Sequence, residues 1–212
     1  MEPTIYKPGA YKSPGIYKGA GGIYKGRGVY NDGEGGNGGD FVEIGGRKYP
    51  FVKIGNRYWI TENLDFKFDG LVIGSASSSK QARANYYNNN EAEFGENGKK
   101  WGLLYNYKAV EKLKQINFDK NFRLPNNTDI YYLSHDNAPL TLISALFGGT
   151  NETGFNCFLS GAYFDNNFLL GNDKYYSWTE ETAYFFNINL SGTTSGYTTN
   201  SHGMSVRLCA NV

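Results

Sequence analysis

Histidine and cysteine are nearly missing from this chain of 212 residues: His135 and His202 are its two imidazoles, Cys157 and Cys209 its two thiols. Two cysteines cannot build a disulfide scaffold, and their separation matches no zinc-ligand spacing. They read as small buried hydrophobes, with a bridge open to them only outside a reducing compartment. No apolar run approaches the roughly 20 residues of a membrane-spanning helix, which excludes a helical membrane protein. Charge is sparse too. Asp, Glu, Lys and Arg make up 19% of the chain and nearly cancel at +1, so the basic face of a nucleic-acid binder is not expected. Walker-type phosphate loops are also lacking.

What is present is aromatic and glycine-rich: 18 Tyr, 14 Phe and 28 Gly, with abundant Asn. Few charges with many Tyr, Asn and Gly point to a β-rich fold carrying long ordered loops. A body of about 150 residues can bury roughly 70% of its unfolded surface, enough for a true core.

Charge and glycine divide the chain unevenly. Residues 1–30 hold Lys7, Lys12, Lys18, Lys25 and Arg27 against Glu2, residues 31–40 hold three acids, and the remainder is neutral. Twelve of the glycines fall in the first 40 residues. An aliphatic-Tyr-Lys-x-Gly unit repeats there, at Ile5-Tyr6-Lys7, Ala10-Tyr11-Lys12, Ile16-Tyr17-Lys18 and Ile23-Tyr24-Lys25, ending in a degenerate Val29-Tyr30. Units this short, broken by Gly and Pro, cannot bury a core of their own. Residues 1–31 therefore read as a docking arm. Its anchors are Tyr6, Lys7, Tyr11, Lys12, Tyr17, Lys18, Tyr24, Lys25 and Tyr30, since Tyr offers a large contact area at low entropic cost and repetition adds weak contacts together. Residues 32–40 read as a Gly-rich linker and 41–212 as the body.

The body reads as mixed α+β. Phe41–Ile44 and Tyr49–Ile54 form a predicted hairpin across Gly45-Gly46, and a second turn at Gly55-Asn56 leads into Arg57–Ile60. Ala109, Val110, Leu113 and Ile116 recur at helical spacing over 106–116. A second helix starts after Pro125, with Asn126 as N-cap and Asp129 at N3, leaving Ile130 and Leu133 to face inward. A third apolar helix is expected over 139–147, stopped by Gly148-Gly149. Strands are expected at Tyr175–Trp178, 183–190 and 204–208, with loops at 84–97, 164–175 and 191–204.

Seven segments occur in the order of a known bacterial family. They are Tyr58-Trp59-Ile60-Thr61-Glu62-Asn63-Leu64, Leu104-Tyr105-Asn106-Tyr107-Lys108-Ala109, Phe122-Arg123-Leu124-Pro125, Thr153-Gly154-Phe155-Asn156, Ser160-Gly161-Ala162-Tyr163-Phe164, Tyr175-Tyr176-Ser177-Trp178-Thr179 and Ser205-Val206-Arg207-Leu208-Cys209. Together they make the body resemble the Fibrobacter succinogenes major paralogous domain family, widespread in Bacteroidetes and related to C-type-lectin-like and formylglycine-generating-enzyme-like folds. The resemblance implies a C-type-lectin-like body of two or three helices and antiparallel strands. It implies that Trp59 and Trp178 are core residues and that Arg123 and Arg207 bridge loop carbonyls or a carboxylate. The family usually has a Cys shortly before its Arg-Leu-Pro to pair with the late Cys. Here Phe118-Asp119-Lys120-Asn121 supplies none, so the pairing that the family offers Cys209 lacks its first half.

Function follows from these readings. Calcium-dependent lectins use Glu-Pro-Asn and Trp-Asn-Asp triplets because Ca²⁺ needs several hard oxygens in one shell. Leu124-Pro125-Asn126 and Trp178-Thr179-Glu180 do not reproduce that set, so no metal or other cofactor is expected. His135 reads as a helix C-terminal residue, His202 lies in a Gly/Ser loop without a nucleophile, and no catalytic residues are expected. The opening residues 1–9 show no basic and apolar signal segment. A lectin-like body, a repeated arm and no export signal together suggest a bacteriophage virion protein. It would be a head fibre or capsid decoration of a phage of Bacteroidetes, anchored through residues 1–31 to the major capsid protein or another virion protein. A homo-oligomer, as a trimer, is expected, with a host-surface glycan or protein as further partner and neither nucleic acid nor membrane. The alternatives are a bacterial cell-surface adhesin of the same family and a tail-associated receptor-binding protein.

Overall fold

A computed structural model describes residues 40–74, 80–86, 101–164, 167–169 and 173–212, with the backbone of 17–19 and 22–24. In the arm, β1 (Tyr17–Gly19) and β2 (Gly22–Tyr24) pair antiparallel, Tyr17 opposite Tyr24 and Lys18 opposite Ile23. The remaining arm anchors, Tyr6, Lys7, Tyr11, Lys12, Lys25 and Tyr30, lie outside the described residues.

The body is α+β. β3 (Phe41–Ile44), β4 (Arg47–Ile54) and β5 (Arg57–Ile60) form a meander, and the last strand, β14 (Cys209–Asn211), adds beside β5 in the order β14-β5-β4-β3. Both predicted turns hold. Gly45 and Gly46 have φ of 59° and 79°, as a two-residue I′ turn requires, while at the second turn Gly55 alone is positive, as in a II′ turn. β6 (Val72–Ile73), β7 (Arg83–Asn85) and β8 (Leu104–Tyr105) form a second sheet and lead into α1 (Tyr107–Leu113). Asn106 caps that helix, accepting from the Ala109 N–H at 2.9 Å. α2 (Asn127–His135) begins with the expected Asn126 cap, which forms a capping box with Asp129. β9 (Ala162–Phe164) pairs with β10 (Asn167–Leu169), and β11 (Tyr175–Trp178), β12 (Tyr184–Asn189) and β13 (Gly192–Tyr197) make an antiparallel sheet in sequence order. Among the described residues no helix is long and apolar enough to cross a membrane.

Four expectations are corrected. The helix expected over 139–147 is split into α3 (Pro139–Leu142) and a 3-10 turn (Ala145–Phe147). Ile143 is pulled out into a parallel bridge with Cys157, whose N–H donates to Leu142 O at 2.8 Å and whose carbonyl accepts from the Ser144 N–H at 3.0 Å. Gly149 is confined there, because a Cβ would lie 2.1 Å from Ile143 O. The loop expected over 191–204 contains β13, since pairing with β12 overrides the local Gly and Ser signals, and that expected over 164–175 contains β10, paired with β9. The strand expected over 204–208 is instead a thread through the core: Met204 bonds to Tyr105, Ser205 to Tyr176 and Trp178, Val206 O to Leu64 N–H and Leu208 O to Ile60 N–H. A regular ladder begins only at Cys209.

Two apolar cores flank this thread. One gathers Val42, Tyr49, Leu64, Tyr107, Val110 and Leu208; the other gathers Trp59, Ile130, Leu133, Phe155, Tyr175 and Phe186. Trp59 and Trp178 are buried, as the resemblance implies. Between the cores sits Arg207 with no exposed surface. Its Nη2 donates to Asn63 Oδ1 at 2.8 Å, its Nη1 to Phe155 O, and its guanidinium lies 4.4 Å from the Phe155 ring centre. Asn63 in turn donates to Trp101 O at 2.9 Å, so one buried amide joins the thread to the loop before β8. Arg207→Met leaves those oxygens without donors. We expect a cost of about 3–5 kcal/mol and a melting temperature lower by roughly 10 °C, read by circular dichroism on heating.

Candidate functional site

Asp129 is the residue through which α2 meets the sheet. Its carboxylate has no exposed surface and accepts from Arg57 Nε at 2.5 Å, Arg123 Nη1 at 2.7 Å and the Asn126 N–H at 2.8 Å. The Cys209 thiol adds a longer contact at 3.6 Å. Burial by itself would push the carboxyl up, but the hydrogen bonds from Arg123, the Asn126 N–H and Arg57 outweigh it and hold Asp129 below its ordinary value. Arg123 also donates to Leu124 O at 2.8 Å, so Arg123 and Arg207 both bridge carbonyls or carboxylates as expected.

A cleft of about 330 Å³ opens beside this pair, between the Gly55-Asn56 turn and the outer face of α2. Trp59 and Leu133 floor it, and Tyr132, 52% exposed, stands at its mouth. The polar groups around it keep capacity to spare. Arg57 uses Nε for Asp129 and Nη1 for Asn56 O, leaving Nη2 without a partner among the described residues. Asn137 donates to Leu133 O at 3.0 Å and retains its amide oxygen. The Asp136 carboxylate likewise has no partner among the described residues. Donor, acceptors and an aromatic ring thus meet over an apolar floor, the combination that holds a polar neutral molecule.

The two triplets set against calcium binding do come together, the Glu180 N–H donating to Pro125 O at 2.9 Å, but Asn126 Oδ1 is committed to the Asp129 N–H. Among the described residues no group of three or more His, Cys, Asp and Glu could hold a metal ion. His135 is exposed at the end of α2, its ring 5.1 Å from that of Tyr131. His202 pairs with Thr198 Oγ1 at 2.5 Å and stacks edge-on against Phe164. Of the loops singled out in the sequence, 87–97 lies outside the described residues, and the cleft draws on none of the others. Its signal was present, however: with Ile130 and Leu133 inward, Tyr132 and Asp136 fall one turn apart on the outer face of the helix.

Both thiols are free and buried, and burial pushes Cys157 up to about 12 and Cys209 higher still. Neither is expected to react with a thiol reagent at about pH 8, where only thiolate attacks, until the protein is unfolded; thiol titration with and without denaturant checks this. Asp129→Asn leaves two guanidinium groups short of a counter-charge and is expected to cost about 3–5 kcal/mol. Because the folded carboxyl is depressed, its contribution is full above about pH 4 and is lost as pH falls through the lower folded value. The wild type should therefore lose stability in that acid range more steeply than Asp129→Asn, as denaturant titrations across pH would show.

Compared with protein families, curated proteins and solved structures, the chain finds no match, and its reading rests on this geometry.

Proposed function

We propose that this chain is a non-enzymatic recognition protein whose body binds a carbohydrate through the cleft between the β4–β5 turn and α2. The observation that carries the reading is the set of uncommitted groups there, Arg57 Nη2, the Asp136 carboxylate and Asn137 Oδ1, around the half-exposed ring of Tyr132. Saccharide hydroxyls both donate and accept, and their C–H faces stack on aromatic rings, so this set suits them. Asp129 lies beside them but its oxygens are saturated, which makes it a support and not a reacting acid. A C-type-lectin-like body, inferred from the seven segments, is compatible with the α+β architecture and with loops carried on a rigid polar framework. The setting we infer is a bacteriophage virion, as a head fibre or capsid decoration. The repeated Tyr-Lys units of residues 1–31 would anchor the chain to a capsid or other virion protein, and the body would face the host as a homo-oligomer.

A glycan array probed with the full chain should retain a discrete set of saccharides. Tyr132→Ala should weaken that binding about tenfold, near 1.4 kcal/mol, without changing the melting temperature. An array with no retained saccharide would remove the carbohydrate reading. The arm is tested separately, by whether a peptide of residues 1–31 displaces the full chain from purified virions in sedimentation.

A further inference from the structure

Strand β13 ends its sheet, and its outer edge is open among the described residues. Its pairing with β12 can be phased from two anchors: the Thr198 N–H donates to Ala183 O at 2.9 Å, and the Thr179 N–H donates to Tyr184 O at 3.1 Å. Antiparallel ladders alternate between hydrogen-bonded and non-bonded pairs. With Thr198 bonded to Ala183, the register makes Gly196–Phe185, Thr194–Asn187 and Gly192–Asn189 the bonded pairs. The main-chain groups of Thr193, Ser195 and Tyr197 then point away from β12, and among the described residues none of them has a partner. Thr194, Ser195 and Tyr197 are exposed, Tyr197 at 77%.

Two other sheet margins among the described residues are guarded. The free side of β11 is taken up by Ser205, which accepts from the Trp178 N–H and donates to Tyr176 O, both at 3.1 Å. The β3 margin meets Lys120, whose Nζ donates to Phe41 O at 2.6 Å. β13, Gly-Thr-Thr-Ser-Gly-Tyr, has neither Lys nor Pro nor any other charge to blunt it. An unguarded edge of this length is a template for one more strand.

We infer that β13 pairs antiparallel with β13 of a second copy of this chain, joining the two sheets across a two-fold axis at Ser195. The outward groups are spaced symmetrically about that residue. Ser195 meets its own counterpart, Thr193 meets the partner's Tyr197, and Tyr197 meets the partner's Thr193, with two hydrogen bonds in each pair. Between them Thr194 faces the partner's Gly196, so no bulky pair collides. A strand of six residues without charge can meet itself with no like charges opposed. The contact is isologous and gives two copies, where the sequence suggested three.

The test is the mass of the full chain by sedimentation equilibrium at roughly 100 μM, above a micromolar dissociation constant. The wild type should show twice 23.6 kDa. Ser195→Pro removes an outward N–H and leaves the bonds to β12 intact, because Pro is tolerated where a strand's N–H faces solvent, so this variant should be monomeric with an unchanged circular dichroism spectrum. If it fails to fold, Ser195→Lys decides: it sets Lys against Lys, and its dimer should dissociate at low salt and re-form as salt is added. A monomeric wild type overturns the inference. So does a multimer whose mass neither variant changes, since the contact would then lie elsewhere, the arm included.

Discussion

A carboxylate with no exposed surface, held between two guanidinium groups, sets the relation of helix to sheet in this protein. Asp129 takes Arg57 from β5, Arg123 from the segment before α2 and the Asn126 N–H from its own cap. Removing an ion from water costs several kcal/mol, and only a filled set of donors offsets it. That requirement is met in one arrangement of α2 over β5, so the pair defines register where apolar packing alone would accept sliding. Beside the cleft Arg57 is fixed at Nε and Nη1, and its remaining nitrogen has no partner among the described residues.

Two further polar knots extend the same logic. Arg207 is buried among carbonyl and amide oxygens and aromatic rings, which lock the 204–208 thread between the two cores. At the other end of the hairpin, Arg47 pairs with Glu62 and Asp65, while the Tyr49 hydroxyl donates to Asp65. Burial, with the Asp65 charge beside it, pushes the Tyr49 phenol well above its ordinary value, so it remains a donor. Each knot joins segments distant in sequence. Together they make a rigid frame in which titratable groups serve as struts, which is why the groups left over for binding are few and lie at the surface.

Much of the frame was legible in the residues. The hairpins over 41–60 follow from two Gly-containing turns between alternating strands, and α2 follows from Asn126 and Asp129 at capping-box spacing. These signals are local and need no partner. The 139–147 segment misleads because its apolar run is helical by pattern, yet Ile143 gains more from bridging to Cys157 than from continuing the helix. β13 misleads in the opposite sense, since Gly, Thr and Ser read as loop until β12 lies beside them.

The cleft was legible only in part. Tyr132 and Asp136 could be placed on the outer face of α2 by periodicity, and the Gly55-Asn56 turn by its chemistry, but nothing in the linear order brings these elements within reach of each other. What the sequence by itself determined is the local grammar: two hairpin turns, one helix cap, buried Trp and Cys, and a repeated arm distinct from a neutral body. What only the tertiary structure decided is which charges are spent on the interior and which remain for the surface. That division depends on long-range pairing, because a buried ion is tolerated only where the fold gathers its donors from several segments at once.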